Sequence, residues 1–456
     1  MVTQNISGLK NFFIFNPTLS TKEGEELQKI LYYYPICDNT EVQIKNVGLV
    51  EGIIQFTDTF KPTSSASSLH TNKTRQLYFQ PEKNYWMVMT LRLNQISKER
   101  NATGDAEELE DDIQDNVYEA MLKQAYYMYR LFWGTFQSVK DLSTLKMNIE
   151  IFYRTYLQSL KLPQADILNV FCGIQYLPLD KQTFLKVQCF VNLLESTFPI
   201  VPHTAFFYNE HLIWSGVEPS DMQVIYQYLS TSVFPANLET ETQGSSRNSS
   251  STLSALQRGR FIIGPSNLKL AKTVGKIPKV YLFGGSGTSE LYFVIYKMSG
   301  ASVCLFIKGD YELTVDFFKE LNEFMNFNLV SVVSSITEYS SREVVTPCSE
   351  TSPRFIYFNK LNLALKSTVH SDIKPSAAIK DSVKIIADIN SLIPFLGSTG
   401  ESIVKTMNDY WVIGKTSNSR EFYIALQQKN ASLIDISEEV SKLCETELKG
   451  IFFHSA

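Results

Sequence analysis

One order of elements recurs three times along this chain, and that recurrence limits the folds open to it. In the first third, Leu9–Asn16 (LKNFFIFN) and Ile30–Tyr34 (ILYYY) are aromatic, strand-like runs. A capping box at Thr40 and Gln43 opens a helix to about Phe60, with Ile44, Val47, Val50 and Ile54 on one face. Gly48 and Gly52 lie on a second face. Strand-like runs return at Gln76–Gln80 and Tyr85–Leu93. Two helical periods follow, from Leu109 to Phe132 and from Leu142 to Leu160, and Pro163 closes the unit.

The second round begins with a short strand at Ile174–Leu179. A helix over Asp180–Thr197 carries apolar residues nearly all round and is expected to be buried. Thr204–Gly216 reads as a hairpin turning at Asn209-Glu210, and Pro219 stands where a helix would start. Residues 237–256 are Ser/Thr-rich and are expected to form a disordered insertion. Strands resume at Lys279–Phe283, Leu291–Tyr296 and Ser302–Ile307, before a helix from about Leu313 to Met325. The third round runs from a strand at Arg354–Leu365 through a helix at Asp381–Ile393 and two strands within Ile403–Leu426. Its last helix is opened by the box Asp435-x-x-Glu438. Two segments repeat almost in letters: Phe13-Ile14-Phe15-Asn16 against Ile356-Tyr357-Phe358-Asn359, and Asn84-Tyr85-Trp86-Met87-Val88 against Asp409-Tyr410-Trp411-Val412-Ile413. The expected class is α/β (more narrowly α+β), with three copies of a mostly antiparallel sheet flanked by helices.

Length agrees, since 456 residues at roughly 150 per domain give about three. A net charge of −5 argues against nucleic acid as the main ligand, because phosphate binding needs a basic face. Met1–Pro17 lacks a basic region followed by a long apolar run, and no stretch is long and apolar enough to cross a bilayer. A cytosolic protein is the expectation. The six cysteines contain no CxxC pair; Cys189 and Cys304 read as small core residues.

A search for chemistry finds no catalytic motif. Gly414-Lys415-Thr416 ends like a phosphate loop, but the first glycine is replaced by Asp409 and strands flank it, so a hairpin turn is the better reading. Gly284-Gly285-Ser286-Gly287 follows a strand and is also read as a turn. His203 and His211 share one hairpin without a further ligand at metal spacing. Eight acids between 101 and 122 suit a solvated helix N-terminus. No cofactor or metal is expected. From Thr242 to Ser289 there is no acid, but there are seven bases: Arg247, Arg258, Arg260, Lys269, Lys272, Lys276 and Lys279. These form either a solvated linker edge or a patch drawn to anionic lipid, at about 1 kcal/mol per base held near the surface.

Several blocks, in order, carry a family resemblance: Ile44–Phe60 (IKNVGLVEGIIQFTDTF), Ser68-Leu69-His70-Thr71, Trp86-Met87-Val88-Met89, Leu177-Pro178-Leu179-Asp180-Lys181, Ile213-Trp214-Ser215-Gly216, Lys366-Ser367-Thr368-Val369-His370 and Gln428-Lys429-Asn430-Ala431. On these the chain resembles the Ccz subunit of the Mon–Ccz complex, a guanine-nucleotide exchange factor for the late-endosomal and vacuolar Rab GTPase. The resemblance implies three longin domains, with expected spans 1–163, 164–350 and 351–456, and a role without covalent catalysis. It also implies an obligate Mon-type longin partner, a Rab GTPase bound jointly by the two first domains, and peripheral recruitment to late endosomes or lysosomes. A third regulatory subunit is compatible with it.

The helix from Thr40 to Phe60 is the candidate for this chain's half of the site. There Gly48 and Gly52 would admit another backbone, and Lys45, Asn46, Glu51 and Gln55 would touch the partner or the GTPase. Alternatively, the glycines merely fit the helix onto its own sheet. Trp86 is expected in the core. A related tri-longin subunit, a coat or tether adaptor, and an enzyme with a site assembled in space are the other classes weighed.

Overall fold

A computed structural model describes residues 8–22, 24–36, 39–60, 66–93, 114–236, 259–265, 268, 273–284, 287–342, 354–369, 377–397 and 399–447. Both the proposed insertion at 237–256 and the acids at 105–112 lie outside these residues.

The first sheet contains β1 (Leu9–Phe15), β2 (Ile30–Tyr34), β3 (Ser68–His70), β4 (Thr74–Glu82) and β5 (Tyr85–Arg92), in the spatial order β2-β1-β5-β4-β3. Every pairing is antiparallel. Helix α1 (Thr40–Phe60) covers one face; α2 (Asp115–Trp133) and α3 (Leu142–Ser159) cover the other. Successive side chains of a strand point to opposite faces. In β1, Phe12 and Ile14 therefore join Tyr129, Ile149 and Tyr153, while Phe13 and Phe15 join Val47, Val50, Ile54 and Trp86. Burial on both faces is why this strand reads as a continuous apolar run rather than an alternating one.

The second sheet contains β6 (His203–Tyr208), β7 (His211–Ser215), β8 (Arg260–Ile263), β9 (Lys279–Leu282), β10 (Ser289–Met298) and β11 (Ala301–Lys308), ordered β7-β6-β11-β10-β8, with β9 also on β10. A short α4 (Ile167–Phe171) precedes it. Helices α5 (Lys181–Thr197) and α7 (Val315–Arg342) share one face, and α6 (Pro219–Tyr228) lies on the other, where Tyr226 stacks on Phe207. The third sheet contains β12 (Arg354–Asn359), β13 (Ala364–Ser367), β14 (Thr399–Lys405), β15 (Tyr410–Ser417) and β16 (Arg420–Gln427), ordered β13-β12-β16-β15-β14. Helices α8 (Ala377–Leu396) and α9 (Leu433–Glu447) flank it. Numbered within its own module, each sheet follows the order second, first, last, last but one, third, and the six-stranded second sheet places its extra strand, β9, on β10 as well. The expected class thus forms, with one topology used three times. By compactness the chain divides into two units, 1–170 and 171–456, the latter holding the second and third sheets.

Local expectations fare unevenly. The hairpin turns at Asn209 and Glu210, with φ of 44° and 69°, and Pro219 begins α6. Trp86 is buried. Helix α1 has the expected span, but its cap is Asn39 rather than Thr40: the Asn39 carbonyl accepts the Val42 N–H at 2.9 Å and its side chain accepts the Glu41 N–H at 3.3 Å. Likewise α9 is opened by Ser432 and Asp435, each accepting the other's backbone N–H, and not by a box from Asp435 to Glu438. These bonds hold the Asp435 carboxyl below its usual range. Gly414-Lys415-Thr416 lies inside β15, and the turn is at Asn418-Ser419. A side chain at Gly414 would come within 2.4 Å of Ile389 Cγ2, so the glycine lets α8 sit on the strand. Helix α5 is not buried all round, since Leu185, Cys189 and Leu193 are exposed; Cys304 is buried as expected.

Candidate partner interface on the first helix

Helix α1 buries Val47, Val50 and Ile54 against its sheet. Among the described residues nothing covers its opposite face. Val42, Leu49, Phe56 and Phe60 are 44, 54, 65 and 74% exposed, and the last two rings meet edge-on at 4.9 Å. Leu49, Gly52, Phe56 and Phe60 follow one another at spacings of three and four, so they share one stripe. Single exposed apolar residues are ordinary; several aligned on one helix face make a candidate interaction surface.

Gly48 and Gly52 are exposed on this same side. Among the described residues, a Cβ added to either would meet nothing within 4 Å. Neither glycine has a positive φ, so the chain's own fold requires no glycine at these positions. The reading in which they seat the helix on its own sheet is therefore set aside. Each still costs a helix about 1 kcal/mol relative to alanine.

The polar residues divide. Lys45 is exposed beside Glu41, at 4.0 Å, and Gln55 is exposed, donating to Glu51 at 3.4 Å. Glu51 and Asn46 are not the outward contacts expected. Glu51 forms an ion pair with Lys29 at 2.9 Å, both side chains being less than one-fifth exposed. Asn46 donates its amide to the Tyr33 hydroxyl at 2.7 Å, and the Tyr33 ring stacks on Phe13. Both residues tie the helix to its own module. Leu49, Phe56 and Phe60 were not among the expected contacts, although their spacing is visible in the sequence.

In the second module the helix at the corresponding place, α6, is buried nearly all round through Asp221, Met222, Val224, Ile225 and Tyr226. That helix has no comparable open face.

Elsewhere, one cluster has the residue types of a nucleophilic site. Asp115 Oδ2 accepts the Ser68 hydroxyl at 2.7 Å and lies 2.6 Å from His70 Nε2. The same ring nitrogen is 3.3 Å from Ser68 Oγ. A proton relay needs the imidazole between serine and carboxylate, addressing each through a different nitrogen. Here one nitrogen faces both, so the cluster ties β3 to the start of α2. Among the described residues, no group of three His, Cys, Asp or Glu is placed to hold a metal ion, and no helix is long and apolar enough to cross a membrane. Of the basic run, Arg260 and Lys276 are exposed, whereas Lys279 pairs with Glu290 at 3.0 Å and lies over the Tyr292 ring. The Glu290 hydrogen bond holds the Lys279 ammonium above its usual range. Arg258, Lys269 and Lys272 lie outside the described residues.

Three modules of one topology, in this order, match family models for longin domains. The first longin domain of INTU, CCZ1 and HPS4 matches residues 9–134, Intu longin-like domain 2 matches 201–326, and Intu longin-like domain 3 matches 349–443. The chain is therefore a three-longin protein. Along almost its whole length it is 43% identical to the vacuolar fusion protein CCZ1 homolog of Tetraodon nigroviridis, an alignment covering 99% of this chain and 96% of the relative. It is 42% identical to that of Xenopus laevis (98% and 97%) and 26% identical to that of Dictyostelium discoideum (98% and 98%). The chain belongs to the family of vacuolar fusion protein CCZ1 homologues.

Proposed function

We propose that this chain is one subunit of a heteromeric guanine-nucleotide exchange factor for a late-endosomal or vacuolar Rab GTPase. Its first module pairs with a Mon-type longin subunit, and the pair presents the GTPase-binding surface. The observation that carries this reading is the outer face of α1, with two glycines its own fold does not need and an unpartnered stripe of Leu49, Phe56 and Phe60. Lys45 and Gln55 border that stripe and supply its polar contacts.

Such a factor makes no covalent bond. It binds the nucleotide-free GTPase more tightly than the loaded form, and by linkage the nucleotide's affinity falls by the same factor. A picomolar nucleotide is held by roughly 16 kcal/mol. Weakening it takes several kcal/mol of differential protein contact, which a shaped surface provides without a nucleophile. Release of a fluorescent GDP analogue from the Rab, by the chain with and without its partner, tests this reading.

Peripheral recruitment to late-endosomal, lysosomal or vacuolar membrane is part of the proposal, with the basic run as the attractive element. Charge reversal at Arg258, Arg260, Lys269 and Lys272 is expected to weaken binding to anionic liposomes at least tenfold, at about 1 kcal/mol per base. Reversal at Lys279 is expected to do less, because Glu290 already neutralises it. Equal liposome binding by the fourfold variant would contradict the membrane role and leave a solvated linker.

A further inference from the structure

The second and third sheets lie in one compact unit, and the chain between α4 and α5 runs along the edges of both. On one side, the Ile174 N–H donates to the Leu363 carbonyl at 2.7 Å and the Leu365 N–H donates to the Ile174 carbonyl at 2.8 Å. On the other, the Leu212 N–H donates to the Gln175 carbonyl at 2.8 Å and the Leu177 N–H donates to the Leu212 carbonyl at 2.9 Å. The segment thus makes parallel bridges to β13 and to β7. Alternate backbone groups of an extended chain point to opposite sides, so one short strand can serve two sheets. It also covers two edges that would otherwise present unpaired N–H and C=O groups.

Side chains lock the same junction. The buried Phe171 ring lies 5.1 Å from Phe358 and 5.6 Å from Tyr423, both of the third module. Its carbonyl accepts the Gln223 amide from α6 of the second module at 3.2 Å. The Tyr176 hydroxyl donates to the Asn362 carbonyl, 186 positions along the chain, at 3.2 Å. Ile174 is wholly buried. At Gly173 an added Cβ would fall 2.3 Å from Leu365 Cβ, so the backbone can pass β13 only as glycine.

We infer that residues 171–177 are a clasp that makes the second and third modules a single body. The third module takes an edge neighbour from chain that precedes the second module, so it is not a separable bead on the C-terminal side. The clasp does not depend on the exchange-factor reading. Any protein that grips the third sheet thereby grips the second, and force or strain applied at one is passed to the other through β13 and β7.

The test uses the full chain with a protease recognition sequence inserted between Arg342 and Arg354. After cleavage, the fragment beginning at Arg354 is expected to co-elute with the remainder on size exclusion. With Phe171→Ala and Gly173→Leu together, it is expected to elute separately. In the uncut double variant, amide exchange at Leu365 and Leu212 should rise at least about tenfold, since local opening sets those rates. Exchange at Phe13, in the other unit, should stay unchanged, which distinguishes a lost clasp from a misfolded chain. Separation of the cut fragment without any substitution would overturn the inference. So would a double variant that retains both the fragment and its slow exchange.

Discussion

Replacing Gly48 and Gly52 with leucine is expected to abolish pairing with a Mon-type longin subunit while leaving the isolated chain at least as stable as before. Among the described residues a Cβ at either position meets nothing within 4 Å, which leaves room for both side chains. Leucine is among the good helix formers and glycine is about 1 kcal/mol worse than alanine, so the helix gains roughly 1 kcal/mol per site. The interface has no such room if another backbone lies against the bare turns. Two leucines then hold the surfaces apart, and affinity should fall at least about a hundredfold, or roughly 2.7 kcal/mol. The paired alanine variant is expected to be more stable alone and intermediate in pairing. Urea unfolding and titration calorimetry read the two quantities separately. Unchanged affinity with both leucines in place would remove α1 from the interface.

Phe56→Ala and Phe60→Ala are expected to show the same division, large in binding and negligible in folding. The rings touch each other at 4.9 Å and stand 65 and 74% exposed, so their loss opens no core cavity. Exposed substitutions of this kind usually change stability by less than about 0.5 kcal/mol. Aromatic side chains at the centre of an interface contribute about 2 kcal/mol or more when truncated. Each variant should therefore pair roughly thirtyfold more weakly, with an unfolding free energy close to the parent's. Wild-type affinity in both variants would show that the stripe is incidental. A stability loss above about 1 kcal/mol would show that the rings support the fold.

Much of the architecture was legible because both faces of each sheet are covered. Strands buried on two sides leave unbroken aromatic runs such as Phe12–Phe15 and Ile356–Phe358, which stand out in any composition. The order of strands was not legible, because β1 pairs with β5 through contacts such as Phe13 with Val88, and nothing local encodes that register. The starts of α1 and α9 were legible to within a few residues, but α7, expected to end near Met325, runs on to Arg342. Asn39 and Thr40 are both good caps, as are Ser432 and Asp435, and the choice depends on backbone geometry. Helix α5 looked buried because Leu185, Cys189 and Leu193 add apolar letters to a face that remains open.

At the candidate site, the helix and its glycines were visible in the sequence, but which of the polar residues stay exposed was not: Lys45 and Gln55 do, whereas Glu51 and Asn46 do not. Glu51 and Asn46 turn inward because their partners, Lys29 and Tyr33, sit 22 and 13 positions earlier on neighbouring elements. Such pairing follows from the packing of α1 on its sheet and has no signature in spacing. The same holds for Gly173, an unremarkable glycine in sequence whose role depends on Leu365 lying across from it.

The central claim is that this chain acts by lending a shaped surface to a neighbour, and nucleotide release from the Rab measures that most directly. With a late-endosomal Rab carrying fluorescent GDP, the chain together with its Mon-type partner is expected to speed release at least tenfold, about 1.4 kcal/mol or more of barrier. The chain alone should leave the intrinsic rate unchanged, since under this proposal it holds only half of the surface. Acceleration by the chain alone to the rate of the pair, or none by the pair, would contradict the account.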